Sequence, residues 1–182
     1  HACIDACMPH IFSMLQECSY AYVVMLKSDT YGHARMMEQH AADIRWKVTN
    51  IVNDHGVFGI TDYQKIFGQH PESAYINLYF DGKNASGRAL ALIRKVRNAV
   101  SVGEKAIQQG KKPSIPKDVS PYLQVVKNGA SWEIKCLYDA WQKAVDGKGF
   151  SSIASSEDFG ASEVDRLYHL RDASEKQYMI MK

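Results

Sequence analysis

The sequence has 182 residues, of which 46% are hydrophobic and 23% charged, and its formal net charge is +2. This composition excludes a disordered chain and a membrane-spanning chain, and the length fits one domain with a tail. Lys and Arg are scattered apart from Lys111-Lys112, so no basic stripe is expected and nucleic acid is not a predicted partner.

Apolar residues at helical spacing predict a chain that is helical nearly throughout. One face of the second predicted helix carries Met36, Met37, His40, Ile44, Val48 and Ile51. Proline and glycine mark the connections, and no strand pattern is evident. The predicted helices cover about 8–27, 31–52, a short segment after Thr61, 71–80, 87–109, 121–129, 131–145 and 161–179.

Two segments divide the chain. Residues 109–121 contain three prolines and predict a linker on the surface, whereas residues 146–160 are small and polar. We therefore predict a helical domain over 1–145, followed by a linker and a C-terminal helix over 146–182.

Four cysteines leave two readings open. A disulfide scheme would join the first helix to Cys136 and would require an oxidising compartment. Alternatively, all four are buried thiols, since free cysteine is commonly buried. A zinc site is less favoured, because the spacing lacks paired C-x-x-C motifs. The cysteines are Cys3, Cys7, Cys18 and Cys136.

The motifs of catalysis are missing from the sequence, which contains neither a G-x-S-x-G segment nor a phosphate-binding loop. Asp165, His169 and Asp172 could line one helix face, but a solvated charged face explains them more simply. Segments 53–64 and 146–157 resemble calcium loops but lack the required carboxylates, so we interpret both as turns. The chain is not predicted to be an enzyme.

His40 has two interpretations. It is either a core histidine bonded to a backbone carbonyl, Glu38 or Asp43, or a neutral imidazole that serves a metal directly or through water. A lone histidine makes a poor zinc site but a good axial partner for a metal held by a macrocycle, as in haem or chlorophyll.

Four segments in this order resemble the soluble peridinin–chlorophyll proteins of dinoflagellates. They are "DTYGHARMMEQHAADI" at 29–44, "HGVFGITDY" at 55–63, "HPESAYINLYFD" at 70–81 and "IPKDVSPYLQVVKNGASWE" at 115–133. The matching positions are Asp29, Glu38, His40, Ile44, Asp62, Pro71, Glu72, Tyr79, Lys117, Tyr122, Asn128, Gly129, Ala130 and Glu133, with Tyr63 in place of the family's Trp.

The resemblance implies an all-α fold: a helical shell around a pigment-binding cavity, one half-unit of the family's long form, with a C-terminal helical tail. It implies chlorophyll a and peridinin as cofactors, together with a galactolipid. His40 would serve the chlorophyll magnesium through a water molecule. The expected pigment-contacting residues are His40, Met36, Met37, Ile44, Tyr63, Phe67, Tyr79 and Tyr122.

The function implied by the resemblance is light harvesting and photoprotection, with excitation passed to a photosystem. The alternative is a pigment-poor structural subunit that docks on the lumenal face of a dinoflagellate photosystem or on membrane antenna subunits through its tail. The resemblance places the protein in the thylakoid lumen, and a homo-oligomer is expected because the family's short form dimerises. Since the chain opens at His1 without a signal pattern, we expect a processed mature chain.

Overall fold

The computed structural model describes the backbone of residues 9–180 and the side chains of residues 9–170. It is a mixed α/β protein with one five-stranded and one two-stranded antiparallel sheet. The predicted all-α helical shell is therefore wrong. In chain order the elements are α1 (Pro9–Glu17), β1 (Val23–Leu26), α2 (Tyr31–His40), two 3₁₀ turns (Ile44–Trp46 and Val48–Asn50), β2 (Ile51–Asn53), β3 (Val57–Lys65), β4 (Ser73–Asp81), α3 (Gly82–Gln108), β5 (Leu123–Asn128), β6 (Ser131–Cys136), α4 (Tyr138–Asp146), β7 (Phe150–Ser155) and α5 (Gly160–Ile180).

The chain divides into two compact units. Unit 1 consists of residues 1–82 and 150–182, and unit 2 consists of residues 83–149, inserted between β4 and β7. The sheet of unit 1 has the strand order β1-β7-β4-β3-β2. Its central strands β4 and β7 are joined in register from Tyr75 opposite Ser155 to Phe80 opposite Phe150.

Strand β4 shows why the predicted helix over 71–80 is wrong. Ile76 and Leu78 point to one face of the sheet, and Tyr75, Asn77 and Tyr79 point to the other, because side chains alternate along a strand. Nearly all of these positions are buried, since helices cover both faces. An apolar run that is buried on both sides lacks a clean alternation and resembles a buried helix in sequence.

Two helices cover opposite faces of the sheet. Helix α2 packs on the Ile76 face, where the imidazole of His33 meets the hydroxyl of Ser152. Helix α5 packs on the opposite face, where Val164 contacts a cluster that includes Tyr79 and Ile153. Unit 1 is thus a three-layer arrangement in which both helices bury their apolar sides against one sheet.

Unit 2 has its own core. Helix α3, the β5–β6 hairpin and the segment between them bury Leu92, Val96, Ala99, Val119 and Leu123. Gly103 allows close packing, because an added Cβ would lie 2.4 Å from Cδ1 of Ile134. The predicted helix over 121–129 is in fact mostly strand β5.

Two predicted helices are confirmed. The helix predicted at 87–109 corresponds to α3, and the helix predicted at 161–179 corresponds to α5. The helix predicted over 31–52 ends at His40 instead, and the chain continues through 3₁₀ turns into β2. Branched residues from Val48 to Val52 favour the extended backbone, which accounts for the change.

Candidate functional site

His40 is the last residue of α2, and its side chain faces strand β3. Its Nε2 atom is buried and has no hydrogen-bond partner among the described residues, with the nearest carboxylate oxygen, Oδ2 of Asp62, at 3.5 Å. That oxygen also accepts a hydrogen bond of 3.0 Å from the amide of Gln64. The imidazole therefore sits beside a carboxylate that is already engaged elsewhere.

Neither acidic neighbour considered from the sequence binds His40. Glu38 pairs with Arg35 at 2.7 Å. Asp43 pairs with Lys47, and the hydrogen bond from that ammonium group lowers the pKa of Asp43. The carboxylate close to His40 comes instead from Asp62, on a strand distant in sequence.

The apolar residues around His40 belong to the protein core. Met36 and Ile44 are both fully buried, and the sulfur of Met36 accepts a contact of 3.4 Å from the Gln64 amide. Met37 is half-buried on the same helix. These side chains pack against the chain itself rather than lining an open hollow.

The structure does not bring the other predicted pigment-contacting residues to His40. Tyr63 points to the opposite face of β3, is 60% exposed, and packs on Tyr75 with ring centroids 5.0 Å apart. Tyr79 lies on that same opposite face, where its hydroxyl donates to the carbonyl of Ala161 at 2.7 Å. Burial raises the pKa of Tyr79.

Two more of the predicted pigment-contacting residues, Phe67 and Tyr122, belong to other clusters. Phe67 follows β3 and makes an edge contact with the buried ring of Phe12 in α1. Tyr122 belongs to unit 2 and packs edge-on against Trp141. The eight residues predicted to surround one pigment cluster are thus divided between two faces of a sheet and two units.

The residues present do not fit a chlorophyll at His40. A tetrapyrrole needs a flat open space beside the imidazole, whereas Met36 and Ile44, two of the expected pigment-contacting residues, are fully buried in the core. A depression of about 230 Å³ lies at a different place, and it is smaller than typical small-molecule pockets of roughly 300–1,000 Å³. Within the described part of the chain, no group of three or more His, Cys, Asp or Glu side chains could hold a metal.

The structure shows the state of two of the four cysteines. Cys18 and Cys136 are free and exposed, so neither reading of the sequence applies to them. Cys3 and Cys7 lie outside the described residues.

No helix in the described part of the chain has both the length and the apolar character needed to cross a membrane.

The most distinctive surface of unit 1 lies at the β2 edge of its sheet. Trp46, Val48 and Ile51 are 76%, 81% and 50% exposed within six consecutive residues. The 3₁₀ turns that carry Trp46 and Val48 contact β3, and Ile51 begins the edge strand β2. Apolar side chains exposed this far at a sheet edge form a candidate interaction surface.

Strand β3 is covered by β2 over only part of its length. The pairing joins Ile51 to Phe58 and Asn53 to Val57, and it stops there. The N–H of Tyr63 bonds to the side chain of Asp62 at 2.8 Å, so it points away from β4. Because outward groups alternate along an antiparallel strand, Gly59 and Thr61 also present their backbone groups outward.

The 230 Å³ depression lies at these outward groups. Its lining includes Thr49 and Asn50 on one side and Gly59, Ile60 and Thr61 of β3 on the other, with the start of α5 below. We name as the edge surface Trp46, Val48 and Ile51 together with the outward backbone of Thr61. Gly59 itself is buried, and Val52 and Ala161 pack against it. The helical spacing of the sequence places Val48 and Ile51 on the same helix face as His40, so it does not predict this surface; the cluster of branched residues is the signal that could have indicated it.

Charge is distributed unequally between the units. Residues 83–149 contain 13 Lys and Arg against 5 Asp and Glu, a net charge of +8. The remainder of the chain contains 9 against 15, a net charge of −6. The small overall charge conceals a basic insertion in an acidic unit, which corrects the view that the basic residues are scattered.

Comparisons of this chain with models of protein families, with curated proteins and with solved structures found no match.

Proposed function

We propose that this chain is a non-catalytic docking subunit that binds a partner protein through the edge surface of unit 1. The observation that carries the proposal is the exposure of Trp46, Val48 and Ile51 beside a strand whose outward backbone groups are incompletely paired. Indole rings are frequent anchors of protein interfaces.

The partner contributes an extended segment that adds to the sheet edge. Unpaired strand edges bind extended chains through backbone hydrogen bonds, and neighbouring apolar side chains supply affinity. Thr61 offers these backbone groups, whereas Gly59 is buried and Asp62 blocks further pairing by occupying the N–H of Tyr63. The added segment is therefore short and is positioned by its contact with Trp46.

The identity of the partner rests on the sequence motifs alone. The resemblance to peridinin–chlorophyll proteins predicts a photosystem surface in the thylakoid lumen, and this stays a prediction. Light harvesting with chlorophyll a and peridinin also stays a prediction, and the full burial of Met36 and Ile44 gives it no support.

The proposal is tested with purified dinoflagellate photosystem particles. We expect the full chain to sediment with the particles and the double variant Trp46→Ser/Val48→Ser to remain in the supernatant. The matched control is Met14→Ser/Tyr20→Ser, which removes two exposed apolar residues from a different part of unit 1 and should leave binding unchanged. Amide hydrogen exchange at Thr61 should slow in the complex.

Equal binding by the wild type and the Trp46/Val48 variant would overturn the edge surface as the docking site. The absorbance spectrum of native protein tests the competing function. We expect a colourless preparation; co-purified chlorophyll whose spectrum changes in His40→Ala would instead support light harvesting.

A further inference from the structure

Helix α3 carries a line of basic residues on its solvent side. At about 100° per residue, Lys83, Arg94, Arg97 and Lys105 fall within an arc of about 80°. This arc lies opposite the buried residues Leu92, Val96, Ala99 and Gly103. The four residues, which we call the basic stripe, extend over about 33 Å of helix at a rise of 1.5 Å per residue.

The charges of the basic stripe are not neutralised within the described chain. All four side chains are exposed, and none has an ion pair or a side-chain hydrogen bond with another described residue. Lys95, which lies off the stripe, does pair with Asp118 at 3.2 Å. Glu104 is the single acidic residue of α3. The stripe therefore presents a concentrated positive potential, in a unit whose net charge is +8.

Apolar side chains accompany the stripe. Leu90 lies within the same arc and is 46% exposed, and Ile93 lies at its flank and is 41% exposed. A nucleic-acid backbone would engage the cations and leave these side chains without a role. A membrane interface accommodates both the basic and the apolar side chains, because lipid headgroups attract the cations while apolar side chains enter the acyl boundary.

We propose that unit 2 binds an anionic membrane surface through the basic stripe of α3, with Leu90 and Ile93 inserted between lipid headgroups. This binding is independent of the edge surface of unit 1. The acidic character of the rest of the chain disfavours contact of unit 1 with the same surface.

The test is flotation of the full chain with two kinds of vesicle, phosphatidylcholine alone and phosphatidylcholine mixed with phosphatidylglycerol. We expect binding to the mixed vesicles only, and this binding should fall as NaCl is raised. The variant Arg94→Gln/Arg97→Gln should bind roughly 25-fold more weakly, from about fivefold for each cation near an anionic surface. Leu90→Ser should weaken binding by roughly three- to tenfold.

The matched control is Lys127→Gln/Lys135→Gln, which removes the same charge from the β5–β6 hairpin and should retain most of the binding. An equal loss in both double variants would show that net charge alone acts and would overturn the stripe. Failure to bind the mixed vesicles would overturn the membrane as the ligand. Two other outcomes would also overturn the membrane as the ligand: preferential binding to a single-stranded oligonucleotide, or salt-sensitive self-association through the acidic unit of a second copy.

Discussion

His33 is a titratable side chain buried in the interface between α2 and the sheet. It is 7% exposed, and its Nδ1 lies 2.8 Å from the hydroxyl of Ser152, which is fully buried. Burial lowers the pKa of His33 below its ordinary value of 6.5, because a charged imidazole would lose its hydration there. The residue is thus neutral in the folded protein at neutral pH and resists protonation.

This burial predicts a pH-dependent stability. The unfolded chain binds the proton more readily than the folded chain, so the contribution of His33 is fully present above about pH 6.5 and is lost as pH falls below it. Its slope reaches at most about 1.4 kcal/mol per pH unit. We expect urea unfolding between pH 7.5 and 5.0 to show this loss, and His33→Gln to reduce it.

The control for this experiment is His55→Gln, which changes an exposed histidine in a turn and should leave the pH dependence of unfolding as it is in the wild type. If His33→Gln and the wild type lose stability in parallel, another group is responsible.

At the scale of the element, α2 is held unusually close to the sheet. A Cβ added at Gly32 would lie 2.4 Å from Cδ1 of Ile76 and 3.0 Å from the carbonyl oxygen of Lys65. The N–H of Gly32 also donates to the carbonyl of Ile66 at 2.9 Å. Glycine at this position allows the first turn of α2 to rest on the end of β3, which in turn directs His33 toward Ser152.

We predict opposite effects of alanine at two helical glycines. Gly32→Ala should destabilise the protein by about 1–3 kcal/mol, because the methyl group overpacks the contact with Ile76. Gly87→Ala in α3, where no atom lies within 4 Å of the added Cβ, should stabilise it by roughly 0.5–1 kcal/mol through helix propensity. Chemical denaturation of the two variants measures both. A stabilising Gly32→Ala would contradict the close packing of α2.

At the scale of the whole molecule, the fold is a sheet interrupted by an insertion. Strands β4 and β7 are neighbours in the sheet, yet 68 residues separate the end of one from the start of the other. The register places Phe80 opposite Phe150, and continuing it places Asp81 opposite Gly149. Unit 2 is therefore inserted in the chain between two paired strands that a simple hairpin turn could connect, and it has its own core.

This arrangement predicts that unit 1 folds without the insertion. Replacing residues 82–148 with Asn-Gly, a pair that favours the two-residue hairpin turn, should connect Asp81 to Gly149 through that turn. We expect the shortened chain to unfold cooperatively and to give a dispersed amide NMR spectrum. Loss of the cooperative transition would show that unit 1 depends on unit 2 for its stability.

Part of the local structure could be predicted from the sequence. The helical spacing of Leu92, Val96 and Val100 indicates α3, because a surface helix repeats its apolar residues every three or four positions. By contrast, the sequence predicts a helix where β4 lies, since burial on both faces removes the alternation that identifies a strand. The proximity of His40 to Asp62 could not be predicted either, because the two residues approach each other only when α2 packs on β3.

The sequence by itself determined the two longest helices, the exclusion of a disordered chain and the residue types available for chemistry. These depend on local spacing and composition, which are contained in consecutive residues. Only the tertiary structure decided the sheet order, the burial of Met36 and Ile44, the exposure of Trp46 and the segregation of charge. The physical reason is that strand pairing and burial arise from contacts between residues distant in the chain, and one insertion between paired strands is enough to separate basic from acidic residues.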